Sequence, residues 1–338
     1  MGSCRNRLAL FTVVAVCLSL IGCQKSESQG PAPAAADKPV VLKLAHGLDV
    51  AHPVHKGMVV LADRVKEKTH GKVTIEIYPS EQLGNERECI EQVQLGALAM
   101  TKASSAHLEA FVPQLKVLGL PYLFRDDAHM WKIFNGEIGE ELLAAGESKG
   151  LKGLCFYDAG ARSFYTREKE IKTPADLAGL KIRVMQSEMC MKMVSAMGGS
   201  PTPIAWGELY TSLQQGVVDA AENNPPSFHT SKHYEICKYY ILDEHLRPPD
   251  VLVISASVWK KLSPEHQQAL AAAVAESVAE QRELWKLAVD EALKEVEAAG
   301  VKVVRPDAAP FRAAVQSLWA EFKGTELGKL AERIQAVE

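Results

Sequence analysis

The motifs that build the commoner enzyme sites are missing from this chain. It has no G-x-G-x-x-G, no phosphate-binding G-x-x-x-x-G-K-[S/T], no nucleophile elbow G-x-S-x-G and no H-E-x-x-H. That removes the usual dinucleotide, nucleotide-hydrolysing, serine-hydrolase and zinc-protease readings. Cysteines are few, and no two are spaced C-x-x-C, so no paired redox or zinc motif is written in the sequence. There is no excess of basic residues: 38 Lys and Arg face 42 Asp and Glu, a net charge of −4. A nucleic-acid partner is therefore not expected. Beyond the first two dozen residues, no apolar run is long enough to cross a membrane.

What is present begins at the N-terminus. "MGSCRNRLALFTVVAVCLSLIGCQ" has a basic start at Arg5 and Arg7, then an apolar run from Leu8 to Ile21 that is short for a membrane span. It closes on "LIGC", which resembles a lipobox, with cleavage before Cys23 and lipid attachment to its thiol. The alternative is an ordinary signal peptide that happens to contain a cysteine. Residues 1–22 are expected to be the signal and residues 23–39 a flexible tether with a reach of roughly 20 Å or more. Loss of Arg5 and Arg7 takes the net charge from −4 to −6. Cys89, Cys155, Cys190 and Cys237 remain, widely spaced, and mostly buried free thiols are expected.

From Val40 onward the length allows two lobes with their own cores. Strand-like "VVLKLA", a helix from "HPVHKGMVVLADRVKEKTHG", strand "KVTIEIYP" and helix "NERECIEQVQLGA" set up a β-α-β-α rhythm. A helical run "DAHMWKIFNGEIGEELLAAGESKG" and a strand "LKGLCFYDAG" complete the first unit. The rhythm restarts after Gly160 with "ARSFYT", "LKIRVM" and helix "SEMCMKMVSAMGG". Two α/β units with largely parallel sheets, and a ligand cleft beyond their strand ends, are the expected class. Ser263 to Ala299 has a Ser cap, Pro264 at the first helical position and no further Gly or Pro until Gly300. It reads as one helix on the order of 55 Å long, or two with a kink, running along both lobes.

Three residue groups could carry chemistry. His46, His52 and His55 around "HPVH" could hold a metal, or could be polar residues at a helix start. Met189, Met193 and Met197 fall at helical spacing and read as a core face rather than a copper site. Arg162 in "GARSFYT" and Arg183 in "LKIRVMQS" sit on strands among apolar residues. A solvated sheet face would explain either one, but a planar guanidinium also holds a carboxylate through two parallel hydrogen bonds. Trp206 offers a flat wall, and Asn223 and Asn224 offer partners for hydroxyls. No cofactor and no metal are expected.

"YPSEQLGNERECIEQVQLGAL", "LKVLGLPYLF", "GARSFYT", "DLAGLKIRVMQS", "GGSPTPIAWGELYTSLQQGVVDAAENNPPSF" and the long helix stand in an order that resembles the solute-binding subunits of tripartite ATP-independent periplasmic (TRAP) transporters, DctP type. The resemblance implies an α/β two-lobe periplasmic-binding-protein fold with hinge crossings, a cleft between the lobes and a long helix spanning both. The expected lobes are residues 40–159 with 249–288 and residues 160–248 with 289–338. It implies a monomeric, periplasmic, non-enzymatic binder that passes an organic acid to a permease driven by an ion gradient. Arg183 then matches the arginine that pairs with the ligand carboxylate and Arg162 a second one. Trp206 matches a residue packing on the ligand, while Asn223 and Glu86 match polar contacts. Ser104, His107, His46, His52 and Asn224 fall where ligand specificity varies. "IRVMQS", "PTPIAWGELY" and "AENNPPSFHTSKHYE" resemble the subgroup that binds sugar acids, hexuronates such as D-glucuronate and D-galacturonate.

Overall fold

The computed structural model describes residues 39–338, so the signal segment, Cys23 and nearly all of the tether lie outside the described residues. Four strands come first: β1 (Val40–Ala45), β2 (Val73–Tyr78), β3 (Met100–Ser104) and β4 (Leu151–Tyr157). Residues 158–161 then cross to β5 (Arg162–Thr166), β6 (Lys181–Val184), β7 (Ser200–Pro203), β8 (Ala220–Asn223) and β9 (Tyr239–Leu246). The chain crosses back at residues 247–249 into β10 (Asp250–Ser255), follows a helix at Pro264–Ala298 and adds a last strand, β11 (Lys302–Val304). The first sheet has the order β2-β1-β3-β10-β4 and the second β11-β9-β5-β8-β6-β7. Each sheet anchors one lobe.

The β-α-β rhythm does give parallel pairs: β1 with β2 and β3, and β6 with β7 and β8. The sheets are nevertheless mixed, which corrects the expectation of largely parallel ones. β10 enters antiparallel between β3 and β4, with Asp250 opposite Ser104 and Tyr157. The reason is the brevity of the return crossing. It delivers β10 at the end where β3 and β4 finish, so β10 has to run against them. β5 is likewise antiparallel to β8 and β9.

The long helix is continuous over 35 residues, and no kink divides it. Ser263 caps it by accepting from the His266 amide at 3.2 Å. Its Leu270, Ala273, Val274 and Trp285 pack in the first lobe's core and its Val296 in the second's. One element thus joins both lobes. The run expected as one helix after Asp126 is instead two, Asp127–Phe134 and Glu137–Ala144, because Asn135 caps the first and Gly136 is extended. Met189, Met193 and Met197 are buried in the core, as their spacing required. Cys89, Cys155, Cys190 and Cys237 are buried free thiols. Burial pushes the thiols of Cys89, Cys190 and Cys237 up to about 12, which leaves them protonated and unreactive.

Candidate functional site

The crossings and the strand ends beside them surround a small cavity with room for about 50 Å³ of water-sized contents. Arg183, Arg162, Asn223, Asn224, Trp206, Glu86, Ser104 and His107 all line it. His46 and His52 are not among the lining residues.

Strand alternation explains Arg183. Ile182 and Val184 point into the core, and the residue between them is sent to the other face. There Arg183 is 1% exposed. Its Nε donates to the Ile204 carbonyl at 2.9 Å, and Cζ lies 5.6 Å from the centre of the Trp206 ring. Nη1 and Nη2 are buried and have no hydrogen-bond partner among the described residues. Burial pulls its pKa below the ordinary arginine value. A buried cation with unused donors is costly, and an anion seated against it would remove that cost. The solvated-face reading of Arg183 is ruled out by its burial.

Arg162 is equally buried but already engaged. Its Nε and Nη2 donate to the Glu222 carboxylate at 2.5 and 2.8 Å, and Nη1 donates to Asn223 Oδ1 at 2.7 Å. Glu222 is fully buried. Burial pushes its pKa up, but Arg162 and His245 outweigh that and bring it down to about 2. His245 in turn donates from Nδ1 to Asp243 at 2.7 Å. Burial works against its charge, yet Asp243 and Glu222 raise it to about 9. Arg162 therefore belongs to a charge-balanced buried chain. It orients Asn223, whose Oδ1 also accepts from the Asn224 amide at 2.8 Å, leaving the amide nitrogen of Asn223 for a ligand. Asn224 lines the cavity, but its side chain is used: Oδ1 accepts from Ser227 N at 2.8 Å and Nδ2 donates to the Ala159 carbonyl at 3.0 Å.

The first lobe supplies the facing wall. Asn85 starts a helix with a capping box, which sets Glu86 in its first turn beside the end of β3. Glu86 accepts from Lys102 Nζ at 2.7 Å and from the Ser104 amide at 3.2 Å, and His107 Nδ1 stands 2.6 Å away. Lys102 also reaches Asp250 at 3.2 Å. Burial opposes the charge of Glu86, but Lys102 and His107 hold it well below the usual carboxylate range. Asp250 moves the other way: burial raises it against the opposing effect of Lys102.

His52 is a helix cap. Its Nδ1 accepts from Val54 N at 3.2 Å, so Nε2 carries the proton and donates to Ser227 Oγ at 3.1 Å on the opposite lobe. His46 is fixed the same way, accepting from Leu48 N and donating to His55 at 3.0 Å. Burial, with Lys102 nearby, pushes His46 down to about 3 and His52 well below its ordinary value. Both stand behind the cavity wall as neutral imidazoles. Among the described residues no group of three or more His, Cys, Asp or Glu is gathered for a metal ion.

Sequence reasoning missed Lys102, Asp250, Ser227, Met185 and Leu48, which also line the cavity. Lys102 in "MTKAS" is a charge in mid-strand, the same signal that singled out Arg183. Glu81 was missed too. It lies in a turn where Ser80 and Glu81 both have positive φ, 53° and 58°, and its carboxylate rests against the backbone of Gly207 on the other lobe.

The profile of the DctP family, bacterial extracellular solute-binding protein family 7, matches residues 44–325. A solute-binding protein of Chromohalobacter salexigens is 38% identical over 288 residues, covering 84% of this chain and 86% of its own. A TRAP periplasmic solute-binding protein from Xanthobacter autotrophicus, crystallised with β-D-galacturonate, is 41% identical with a TM-score of 0.85, over 88% of this chain and 100% of that one. A second, from Roseobacter denitrificans with β-D-glucuronate, is 38% identical with a TM-score of 0.85 over the same shares. With two mixed sheets, a cavity between them and a helix that bridges both lobes, the chain belongs to the DctP family of extracellular solute-binding proteins, the solute-binding subunits of TRAP transporters.

Proposed function

We propose that the protein captures a hexuronate, such as D-glucuronate or D-galacturonate, between its lobes and passes it to a membrane permease driven by an ion gradient. The observation that carries this is the buried, unpartnered pair of Arg183 Nη atoms facing the cavity. A carboxylate takes both through parallel hydrogen bonds. Trp206 packs on an apolar sugar face, while the Asn223 amide, Ser104, Glu86 and the newly found Asp250 and Ser227 meet hydroxyls. The hexuronates bound to the Xanthobacter and Roseobacter relatives support the ligand class.

The same reading makes residues 1–22 a signal and Cys23 a lipid anchor followed by a tether. It makes the mature protein a periplasmic monomer that turns nothing over, with lobes at residues 40–159 plus 249–288 and 160–248 plus 289–325; the helix Glu326–Gln335, expected with the second lobe, lies on the first. The test is a thermal-shift screen across hexuronates, other sugar acids, keto acids and C4-dicarboxylates, followed by calorimetry. Ligand that binds the folded state alone raises Tm with its concentration. Glucuronate or galacturonate is expected to give the largest rise and to be recovered unchanged. No rise with either would overturn the ligand assignment. Cys23→Ser is expected to abolish lipid attachment and leave the precursor uncleaved at that site or processed elsewhere, and lipid found on the variant by mass spectrometry would overturn the anchor.

A further inference from the structure

We propose that the cavity is matched to a single negative charge: Arg183 takes the one carboxylate it admits, and Glu86 and Asp250, braced by Lys102, reject a second at the opposite wall. This rests on the reading of the cavity as a sugar-acid site and adds which acids it excludes.

The argument is a count of charges. On the second lobe, Arg162 is answered by Glu222, and His245 by Asp243. Arg183 has no carboxylate against it and two buried, unpartnered nitrogens. On the first lobe, one lysine, Lys102, is shared between two acids, Glu86 at 2.7 Å and Asp250 at 3.2 Å. That leaves one negative charge in excess, which His107 beside Glu86 would cancel only as an imidazolium. In neither state of His107 does this wall hold a spare cation.

Carboxylate oxygens only accept hydrogen bonds. The Glu86–Asp250 wall therefore receives the O–H groups of a polyol end, and meets a second carboxylate with like charge in a site with little water to screen it. Such juxtapositions are strongly unfavourable. A diacid of the same carbon skeleton is thus a poor ligand despite having more charge to offer Arg183.

Calorimetry on the whole mature protein tests this with D-galacturonate, galactonate and galactarate. The last two are open-chain acids that differ only in carrying a hydroxymethyl or a carboxylate at the far end. Wild type is expected to bind galactonate at least about 30-fold tighter than galactarate. Asp250→Asn and Glu86→Gln, each remove one acid, and each is expected to lower the galacturonate-to-galactarate affinity ratio by about 10-fold or more. Because the same two ligands are compared in each protein, differences in their shape cancel. If wild type binds galactonate and galactarate equally, the inference is overturned while the hexuronate assignment stands. Should wild type take neither open-chain acid, galactarate binding has to appear in one of the folded, galacturonate-binding variants, and its failure to do so overturns the inference. If galacturonate itself does not bind wild type, the underlying functional reading falls first.

Discussion

Arg183 and Arg162 are neighbours in the second sheet and equally hidden from water, yet removing each should do a different thing. Arg183 has one hydrogen bond and two idle nitrogens, so in the empty protein its charge is a burden. Arg183→Met should raise the Tm of the ligand-free protein and abolish acid binding, because an apolar side chain has no charge to desolvate. Arg183→Ala should weaken hexuronate binding by about 30- to several-thousand-fold, from a typical loss of about 2–5 kcal/mol for a desolvated charge pair. Arg183→Lys should recover part of that, without the paired geometry. Arg162→Ala instead strands Glu222 in the core and should cost about 3–5 kcal/mol of folding stability, read from denaturant melts. Equal effects of the two alanines on stability would contradict this division. The same buried chain makes stability depend on pH. His245, raised to about 9, contributes fully below its unfolded value near 6.5 and loses that contribution as pH rises through 9. His46 and His233, which burial pushes down to about 3, destabilise as pH falls below 6.5. Tm should therefore peak near pH 6–7, and His245→Gln should flatten the limb between pH 6.5 and 9. A flat wild-type profile over that interval would show that His245 is not held as an imidazolium.

Among the elements, the long helix does more than bridge two cores, because it grips a crossing. Gln281 accepts from Asp158 N and donates to Asp158 O, both at 2.9 Å, exactly where β4 leaves the first lobe for β5, and Tyr157 is bonded to Ser277 at 2.8 Å. Two residues on, Gly160 has φ +56°, and a Cβ there would come 2.9 Å from the Trp285 ring. Gln281→Leu leaves the two backbone groups of Asp158 unanswered and should cost about 1–3 kcal/mol for each buried group that finds no new partner. A melt unchanged by this substitution would show that water replaces the amide. Outside the cavity lining, where Glu81 rests on the Gly207 backbone of the other lobe, a Cβ on Gly207 would displace the Glu81 carboxylate. Gly207→Ala should cost only this contact, because the end of the Glu81 side chain can swing aside, and should leave Tm and hexuronate affinity nearly unchanged; a large loss of affinity by calorimetry would show that the lobes are held apart there. The C-terminal helix Glu326–Gln335 has a strong apolar stripe and was expected with the second lobe, although nothing in its pattern says which lobe receives it. It packs back on the first lobe, where His129 meets the Ile334 carbonyl and Arg333 meets Glu141.

For the molecule as a whole, two short crossings, the long helix and the segment leading into the C-terminal helix carry the described chain between lobes whose facing walls are joined by side chains. The His52–Ser227 bond, the Glu81–Gly207 contact and the Lys116–Glu188 pair at 2.5 Å each reach across. Contacts of this kind are made and lost as a unit when lobes turn about a hinge. Ligand that touches both walls should favour the closed arrangement over an open one. Small-angle scattering should then give a smaller radius of gyration with saturating hexuronate than without. Superimposable curves at full occupancy would mean that the cavity fills without closure.

Strand and helix order, the single long helix with its Ser263 cap, the methionine core face and the importance of Arg183 were legible in the sequence, because each depends on near neighbours or on a charge placed in an apolar run. The antiparallel insertion of β10, the engagement of Arg162 by Glu222, the use of Asn224 as a cap and the Lys102–Glu86–Asp250 wall were decided only by the tertiary structure. Lys102 and Asp250 are 148 residues apart, and Arg162 and Glu222 are 60 apart. Whether a buried charge is free to bind or already answered depends on which distant residue the fold sets beside it, and no local pattern encodes that partner.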